Sequence, residues 1–319
     1  MVRAMTHPKI TLPEELDGLT LIASVSGGKD STALMLALRE AGLPFRAVFA
    51  DTGWEAPETY AYLDLLREKI GPIDVVGFPG GMSAKVTARA GFPARLSRWC
   101  TSELKMQPLR AYHDAIGTET VCAVGVRAAE SEARAKLPEL EDEPATGYGW
   151  GGWVWRPLLR WTIGDVLGIH SAHCLPVNPL YRRGHDRVGC YPCIFSSKSE
   201  IALIAEHAPE RIAKIADLEM RATSERLFRN AAEPGRYAYP SATFFQGRAR
   251  SPLGVAPGIH DVVAWSRTSH GGRQLPLLAE PPKGGCMRWG LCDLPAEPEQ
   301  PATEPEPTEQ DPSDKEAAQ

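Results

Sequence analysis

Near the start of the chain, Ser26-Gly27-Gly28-Lys29-Asp30-Ser31-Thr32 gathers three hydroxyls, a cation, a carboxylate and two residues without a Cβ. These types suit holding a phosphate. Glycine lets the backbone approach an anion closely, Lys29 brings a full charge, and the hydroxyls of Ser26, Ser31 and Thr32 donate hydrogen bonds. The apolar run Leu19–Val25 before it reads as a strand, and Ala33–Leu38 after it as a helix. A helix N-terminus has unpartnered N–H groups and partial positive charge, so a strand turning through glycine into a helix makes an anion pocket. The four-residue spacer of the Walker loop is missing, which makes this a different phosphate loop. A lone Gly-Gly would be only a turn; the full run after an apolar strand points to phosphate.

Cysteine supplies the second chemistry. Cys190-Tyr191-Pro192-Cys193 has the spacing that lets two thiolates reach one metal or cluster, and Cys286 and Cys292 form a later pair. Cys100, in Arg98-Trp99-Cys100-Thr101, stands just before a helix, where thiolates are favoured. Two pairs plus a helix-capping cysteine point to a bound centre rather than simple packing or a redox pair, with zinc and [4Fe–4S] both open. Cys122 and Cys174 lie in apolar stretches and read as core.

Alternating strands and helices must position these groups. Strands are expected at Phe45–Ala50, Ile73–Phe78 and Thr120–Gly125, with helices from Pro57 to about Ile70 and around Glu103–Ile116. That order predicts an α/β fold, a doubly wound, mostly parallel sheet whose ligands sit beyond the carboxyl ends of the strands. Three polar clusters follow strand ends and should converge there: the phosphate loop, Asp51-Thr52-Gly53, and Gly125-Val126-Arg127 with Glu130, Ser131 and Arg134. Asp51, Thr52 and Gly53 are expected near a base or ribose. Arg127 and Arg134 are suited to gripping phosphate or sulfate, although a solvated helix face would show similar spacing. Gly147–Trp155, with Tyr148, Trp150, Trp153 and Trp155, reads as a loop feeding an edge strand, and its tryptophans as packing residues. Thr162 is a cap for the next helix, and Glu200–Ala231 reads as one or two amphipathic helices split near Pro209.

At 319 residues, with 43% hydrophobic and 24% charged, the chain is an ordinary soluble globular protein with ample core. No apolar run approaches a membrane span, so a cytoplasmic location without membrane contact is expected. The formal charge of −5 misleads: residues 296–319 carry −7, leaving +2 for the part that must meet an anion. The expected organisation is a nucleotide-binding unit over 1–195, a helical extension over 196–233, an irregular cysteine-containing wrap over 234–295, and a disordered acidic tail over 296–319.

From about Leu19 to Cys193 the ordered motifs resemble the PP-loop ATP pyrophosphatases and, more closely, the phosphoadenosine phosphosulfate (PAPS) reductase family. The resemblance is carried by Ser26–Ser31, Asp51-Thr52-Gly53 with Pro57-Glu58-Thr59-Tyr60, Gly125-x-Arg127 with Glu130-Ser131 and Arg134, Pro157-Leu158 with Trp161-Thr162 and Asp165-Val166, and Cys190-x-x-Cys193. It implies a PP-loop, adenine nucleotide alpha-hydrolase-like fold with an adenine nucleotide in the crevice, either adenylyl sulfate or PAPS as substrate or ATP with Mg²⁺. Lys29, Asp30, Cys100, Arg127 and Arg134 would then be catalytic, and Ser26, Gly27, Gly28, Lys29, Asp30, Ser31, Asp51, Thr52, Gly53, Gly125, Arg127, Glu130 and Ser131 would bind the nucleotide. Similar adenylyl-sulfate reductases hold a [4Fe–4S] cluster with a Cys-Cys pair and a later CxxC, so Cys100, Cys190 and Cys193, with Cys286 or Cys292, would be ligands. Thr101 stands where that first pair has its other cysteine, and the family's Glu-Cys-Gly-x-His context is absent.

The resemblance leaves two reactions. One is reductive release of sulfite, reset by a thiol reductant such as thioredoxin. The other is ATP-dependent sulfur transfer, fed by a donor such as a cysteine desulfurase, onto a small molecule or a nucleic acid, as in DNA phosphorothioation. A catalytically inactive nucleotide-binding interaction protein is the third reading, and the intact Lys29, Asp30 and Cys100 weigh against it.

Overall fold

The strand signals assemble into one sheet. The computed structural model describes residues 7–143, 151–245 and 257–268. Its strands are β1 (Thr20–Val25), β2 (Phe45–Asp51), β3 (Ile73–Gly77), β4 (Thr120–Ala123), β5 (Leu140–Glu143) and β6 (Gly152–Trp155), in the order β3-β2-β1-β4-β6-β5. All neighbours are parallel except β5, which is antiparallel to β6. The helices are α1 (Lys29–Glu40), α2 (Pro57–Lys69), α3 (Gly81–Arg89), α4 (Trp99–Thr101), α5 (Gln107–Asp114), α6 (Glu132–Ala135), α7 (Ile163–Ala172), α8 (Pro179–Arg182), α9 (Lys198–His207), α10 (Pro209–Ala232) and α11 (Ile259–Ser266). A π-helical turn, Ser102–Met106, joins α4 to α5.

β1 and β2 are apolar on both sides because both faces of the sheet are covered. Leu34, Leu38, Tyr62, Leu66 and Ile169, from α1, α2 and α7, pack with Leu21, Ala23, Ala47 and Phe49. On the opposite face Ile22, Val48, Cys122 and Val154 meet Met106 and Leu109. The chain lays down β1, β2 and β3 in one direction, then returns to place β4 on the other side of β1. The loops after β1 and β4 therefore flank a topological switch point, where open α/β sheets bind ligands.

A second core lies over the α3 and α9–α11 region. Trp54 is fully buried there, stacked on Phe244 at 5.9 Å between ring centroids, with Leu180, Tyr191, Ile204, Ile215 and Val262 in the same cluster. The break at Pro209 separates α9 from α10 as expected, since proline suits a first helical turn and not a helix interior.

Several expectations are corrected. Gly152–Trp155 is itself a strand rather than part of a loop feeding an edge strand, and β5 stands at the edge beside it; the acidic four-residue β5 lacks an apolar alternation that would have revealed it. The stretch 234–295 is not wholly an irregular wrap: Phe244 and Phe245 enter the second core, and α11 forms within it. Cys174 is exposed at a left-handed position (φ 50°) rather than in the core. Cys122 is buried as expected, and burial pushes its thiol up to about 12. Tyr148, Trp150, Cys286, Cys292 and the acidic tail lie outside the described residues. Among those described, no helix is long and apolar enough to cross a membrane.

Glu219 fastens the later residues to α10. Its carboxylate accepts the backbone N–H groups of Phe244 and Ile259, each at 2.8 Å. Glu219→Ala orphans both buried donors, and at about 1–3 kcal/mol for each the expected destabilisation is roughly 2–6 kcal/mol by urea unfolding. A loss below about 0.5 kcal/mol, within the range of ordinary surface changes, would mean the clamp is dispensable.

Candidate nucleotide and thiol site

Local backbone chemistry shapes the phosphate loop. Gly27 is left-handed (φ +75°), and a Cβ there would sit 2.8 Å from Thr59 Cγ2. The Ser31 hydroxyl donates to the Gly28 carbonyl at 3.1 Å and accepts the Ser26 N–H at 3.2 Å, while Thr32 donates to the same carbonyl at 3.0 Å. These hydroxyls therefore brace the turn from within. Side chains from far along the chain brace it from outside. The Asn178 amide donates to the Gly27 carbonyl (3.0 Å), His170 Nε2 lies 2.9 Å from the Lys29 carbonyl, and the Tyr181 hydroxyl accepts the Lys29 N–H (3.2 Å). Asn178 and Tyr181 belong to a motif visible in the sequence, but nothing in their spacing indicated that they hold this loop.

A chain of alternating charge crosses the switch point. Lys29 Nζ donates to Asp30 Oδ2 (2.7 Å), Arg127 Nε to Asp30 Oδ1 (2.5 Å), and Arg134 to the Glu130 carboxylate, which also accepts the Arg127 N–H (2.9 Å). Asp30, Arg127, Glu130 and Arg134 are all buried. Burial pushes the Asp30 carboxyl up, but the Lys29 and Arg127 charges outweigh it and hold it below the ordinary range. Gly125 makes the crossing possible, since a Cβ there would lie 2.6 Å from the Asp30 carbonyl oxygen. Arg134, 1% exposed, stands behind Glu130 and acts as a buttress. Ser131 caps α6 by accepting the Arg134 N–H.

The end of β2 is folded on itself. Asp51 Oδ1 accepts the Gly53 N–H (2.7 Å), and Glu55 accepts the Thr52 hydroxyl (2.6 Å) and the N–H groups of Thr52 and Trp54. The side chains of Asp51 and Thr52 thus shape this loop. Burial pushes the Glu55 carboxyl up, with the Lys105 charge opposing it. Glu55 and buried Lys105 line a small cavity with Ser26, Val25, Ala50 and Gly189, directly over the ends of β1 and β2. Sequence motifs pointed to neither residue; Glu55 lies two residues past a motif, and Lys105 on a helix face.

The same loop holds the cysteine turn. Glu55 and Cys190 form a β-bridge, the Tyr191 N–H donates to the Trp54 carbonyl (2.8 Å), and the Trp54 indole N–H donates to the Pro192 carbonyl (3.0 Å). Gly189 borders a second cavity too, lined by Cys190, Cys193, His185 and Arg187. Cys100 lies in the first turn of α4 rather than before it, and packs with Cys190 and Cys193 against the second core. Arg95 and Arg98 stack over Phe195 at 5.4 and 5.1 Å, and Cys193 acts electrostatically on Arg95.

Cys190 and Cys193 thus border a cavity that shares Gly189 with the one over the ends of β1 and β2, and Cys100 packs against the same second core. Among the described residues, however, no three His, Cys, Asp or Glu side chains form a group that could hold a metal ion. Cys100, Cys190 and Cys193 are not gathered into such a group, and the other expected ligands, Cys286 and Cys292, lie outside the described residues.

Comparison with known proteins extends this picture. Residues 20–196 match the family model of the phosphoadenosine phosphosulfate reductase domain. An uncharacterised 37.8 kDa protein of Escherichia phage 186 is 33% identical over 315 residues, 81% of this chain and 91% of that protein. The adenosine 5′-phosphosulfate reductase of Allochromatium vinosum is 28% identical over 187 residues, 56% of this chain and 69% of that enzyme. A solved phosphoadenylyl-sulfate reductase from Candida auris, in a phosphate complex, aligns with 18% identity and a TM-score of 0.43 over 58% of this chain and 98% of its own.

Asp30→Ala leaves the buried Arg127 guanidinium without its nearest carboxylate, and breaking such a pair costs about 3–5 kcal/mol. The folded-state pKa of Asp30 lies below the unfolded value of about 3.9, so its contribution is complete above that value and is lost as pH falls through the folded pKa. Urea unfolding at neutral pH should show the full loss. The difference from the unsubstituted chain should shrink in acid; a difference constant with pH would contradict the assignment.

Proposed function

The chain belongs to the phosphoadenosine phosphosulfate reductase domain family, and from that premise we propose that it binds an adenylated sulfate, adenylyl sulfate or PAPS, and releases sulfite through thiol chemistry. The observation that carries this reading is the fastening of the Cys190–Cys193 turn to the loop beside the phosphate site, through the Glu55–Cys190 bridge and the two Trp54 hydrogen bonds.

The ligand's phosphate sits over Gly27 and Gly28 at the N-terminus of α1, competing with the Tyr181 hydroxyl for the Lys29 N–H. Lys29 and Arg127 face the anion while Asp30 keeps both in place. Cys100 is the nucleophile. Its thiolate, favoured in a first helical turn, attacks the sulfonate sulfur and the bond from that sulfur to the phosphate oxygen breaks. The nucleotide leaves as its phosphate, stabilised by Lys29 and the helix N-terminus. Cys100 then carries a thiosulfonate. A second thiolate, from the Cys190–Cys193 turn, attacks the Cys100 sulfur, sulfite departs with the bonding pair, and a disulfide remains. An external dithiol protein of the thioredoxin type returns two electrons and restores both thiols.

One sequence feature favours a second reading. The Glu-Cys-Gly-x-His context is absent and an additional pair, Cys286 and Cys292, is present. In that version ATP with Mg²⁺ is the ligand, an acceptor oxygen attacks the α-phosphorus, pyrophosphate leaves, and a persulfide sulfur from a donor protein displaces AMP.

Incubation of the purified chain with adenylyl sulfate, PAPS or ATP separates the two. Sulfite release with a dithiol reductant is the expected result; pyrophosphate release from ATP without sulfite would replace the first reading by the second. Cys100→Ser should abolish sulfite release while leaving nucleotide binding intact. Lys29→Ala should weaken binding by about 1.5–3 kcal/mol, roughly 10- to 100-fold in Kd by calorimetry, the scale of a charge-assisted contact. Unchanged affinity in that variant would remove the phosphate loop from the site.

A further inference from the structure

We propose that the outward face of α10 is a self-association surface, on which two copies of this chain pair as antiparallel helices. The inference is independent of the function proposed above. α10 turns Ile212, Ile215, Leu218 and Ala222 into the second core. Its other side shows a different regularity. Positions 213, 217, 220, 224, 227 and 231 are all exposed and advance in alternating steps of four and three, the repeat of a coiled-coil seam. Within it Met220 is 64% exposed and Leu227 53%, and the adjoining Phe228 is 72% exposed. Large apolar side chains concentrated on one helix face mark an interaction site, whereas scattered ones need no explanation.

The sizes along the seam identify the occupant. Met220 and Leu227 are large; Ser224 and Ala231 are small. When the helix meets a second copy of itself antiparallel, Met220 falls opposite Ala231 of the other copy, and Leu227 opposite Ser224. Every large side chain then enters the space left by a small one. Parallel pairing in register would instead set Met220 on Met220 and leave gaps at Ser224 and Ala231, which a close-packed interface does not tolerate.

Charge agrees with the antiparallel arrangement. Arg221 flanks the seam and is held only by long contacts, 3.5 Å to Asp217 and 3.4 Å to Thr87. Antiparallel pairing brings it beside Phe228 of the other copy, where a guanidinium over a ring is favourable. The two arginines are thereby kept apart.

Sedimentation equilibrium of the full chain over about 1–100 µM, concentrations that bracket micromolar dissociation constants, tests the proposal. The unsubstituted chain should follow a monomer–dimer equilibrium. Met220→Glu and, separately, Leu227→Arg should each weaken dimerisation by about tenfold or more, as expected for buried interface anchors, with unchanged far-UV circular dichroism. The double variant Met220→Glu/Ala231→Lys should restore the dimer. These two positions are three helical turns apart in one copy and meet only across the antiparallel seam. A chain that stays monomeric throughout, or a dimer indifferent to Met220→Glu and Leu227→Arg, would overturn the surface. Weakening without rescue by Ala231→Lys would overturn the antiparallel register.

Discussion

The hydrogen-bonded ion pair between Arg127 Nε and Asp30 Oδ1 joins two loops that are 97 residues apart in sequence and adjacent at the switch point of the sheet. Both groups are almost removed from water, and a pair so placed is favourable only when its remaining charges and donors are also satisfied. Lys29 on one side and Glu130 on the other meet that requirement. Proximity of the backbones is the other requirement. Gly125 allows the end of β4 to approach the first turn of α1 to a distance that any side chain would forbid. Shape and charge therefore act together: without the glycine the pair could not form, and without the pair α1 would present its N-terminus with much less definition.

A second fastening depends on the backbone instead. The loop from Asp51 to Glu55 closes on its own carboxylates and offers the Trp54 carbonyl and indole N–H to the cysteine turn. Trp54 is also covered by cations, with Arg211 at 5.0 Å and Lys214 at 5.3 Å from its ring, and Arg211 donates to the Glu55 carbonyl at 2.7 Å. One buried tryptophan thus links the end of β2, the cysteine turn and α10. The second core positions the thiols relative to a phosphate loop that belongs to the first.

The parts of this arrangement legible in the sequence are those governed by short-range rules. Apolar runs marked β1 to β4, Pro57 and Pro209 marked helix starts, Thr162 marked a cap, and the Ser26–Thr32 run marked the turn between strand and helix. Residues whose importance is set by distant partners were not legible. Asn178, His170 and Tyr181 become supports of the phosphate loop only when α7 and α8 arrive beside α1. Glu55 and Lys105 are ordinary charges in sequence and become buried neighbours lining one cavity only after folding. β5 escaped notice because Leu140-Glu141-Asp142-Glu143 has almost no apolar pattern; its place in the sheet comes from β6 and from Arg156, which bonds the Pro138 carbonyl and Glu141.

The boundary of the family match has a physical meaning. It ends at residue 196, just past Cys193, while the core on which the cysteine turn packs is shared across that boundary: Trp54, Val86 and Leu180 lie inside it, and Ile201 and Ile204 on α9, Ile215 and Leu218 on α10, and Val262 on α11 lie beyond it. The Ser26–Thr32 turn and its Arg127–Asp30 brace stand on the sheet and its switch point, which lie wholly inside the matched segment. The setting of the thiols rests in part on α9–α11, outside that segment. Divergence in these three helices can therefore re-aim the cysteine turn while the phosphate loop and its Arg127–Asp30 brace stay as they are. Two proteins alike through the matched segment can then differ in where this turn points, because part of the packing that sets it lies outside the motifs that make them look alike.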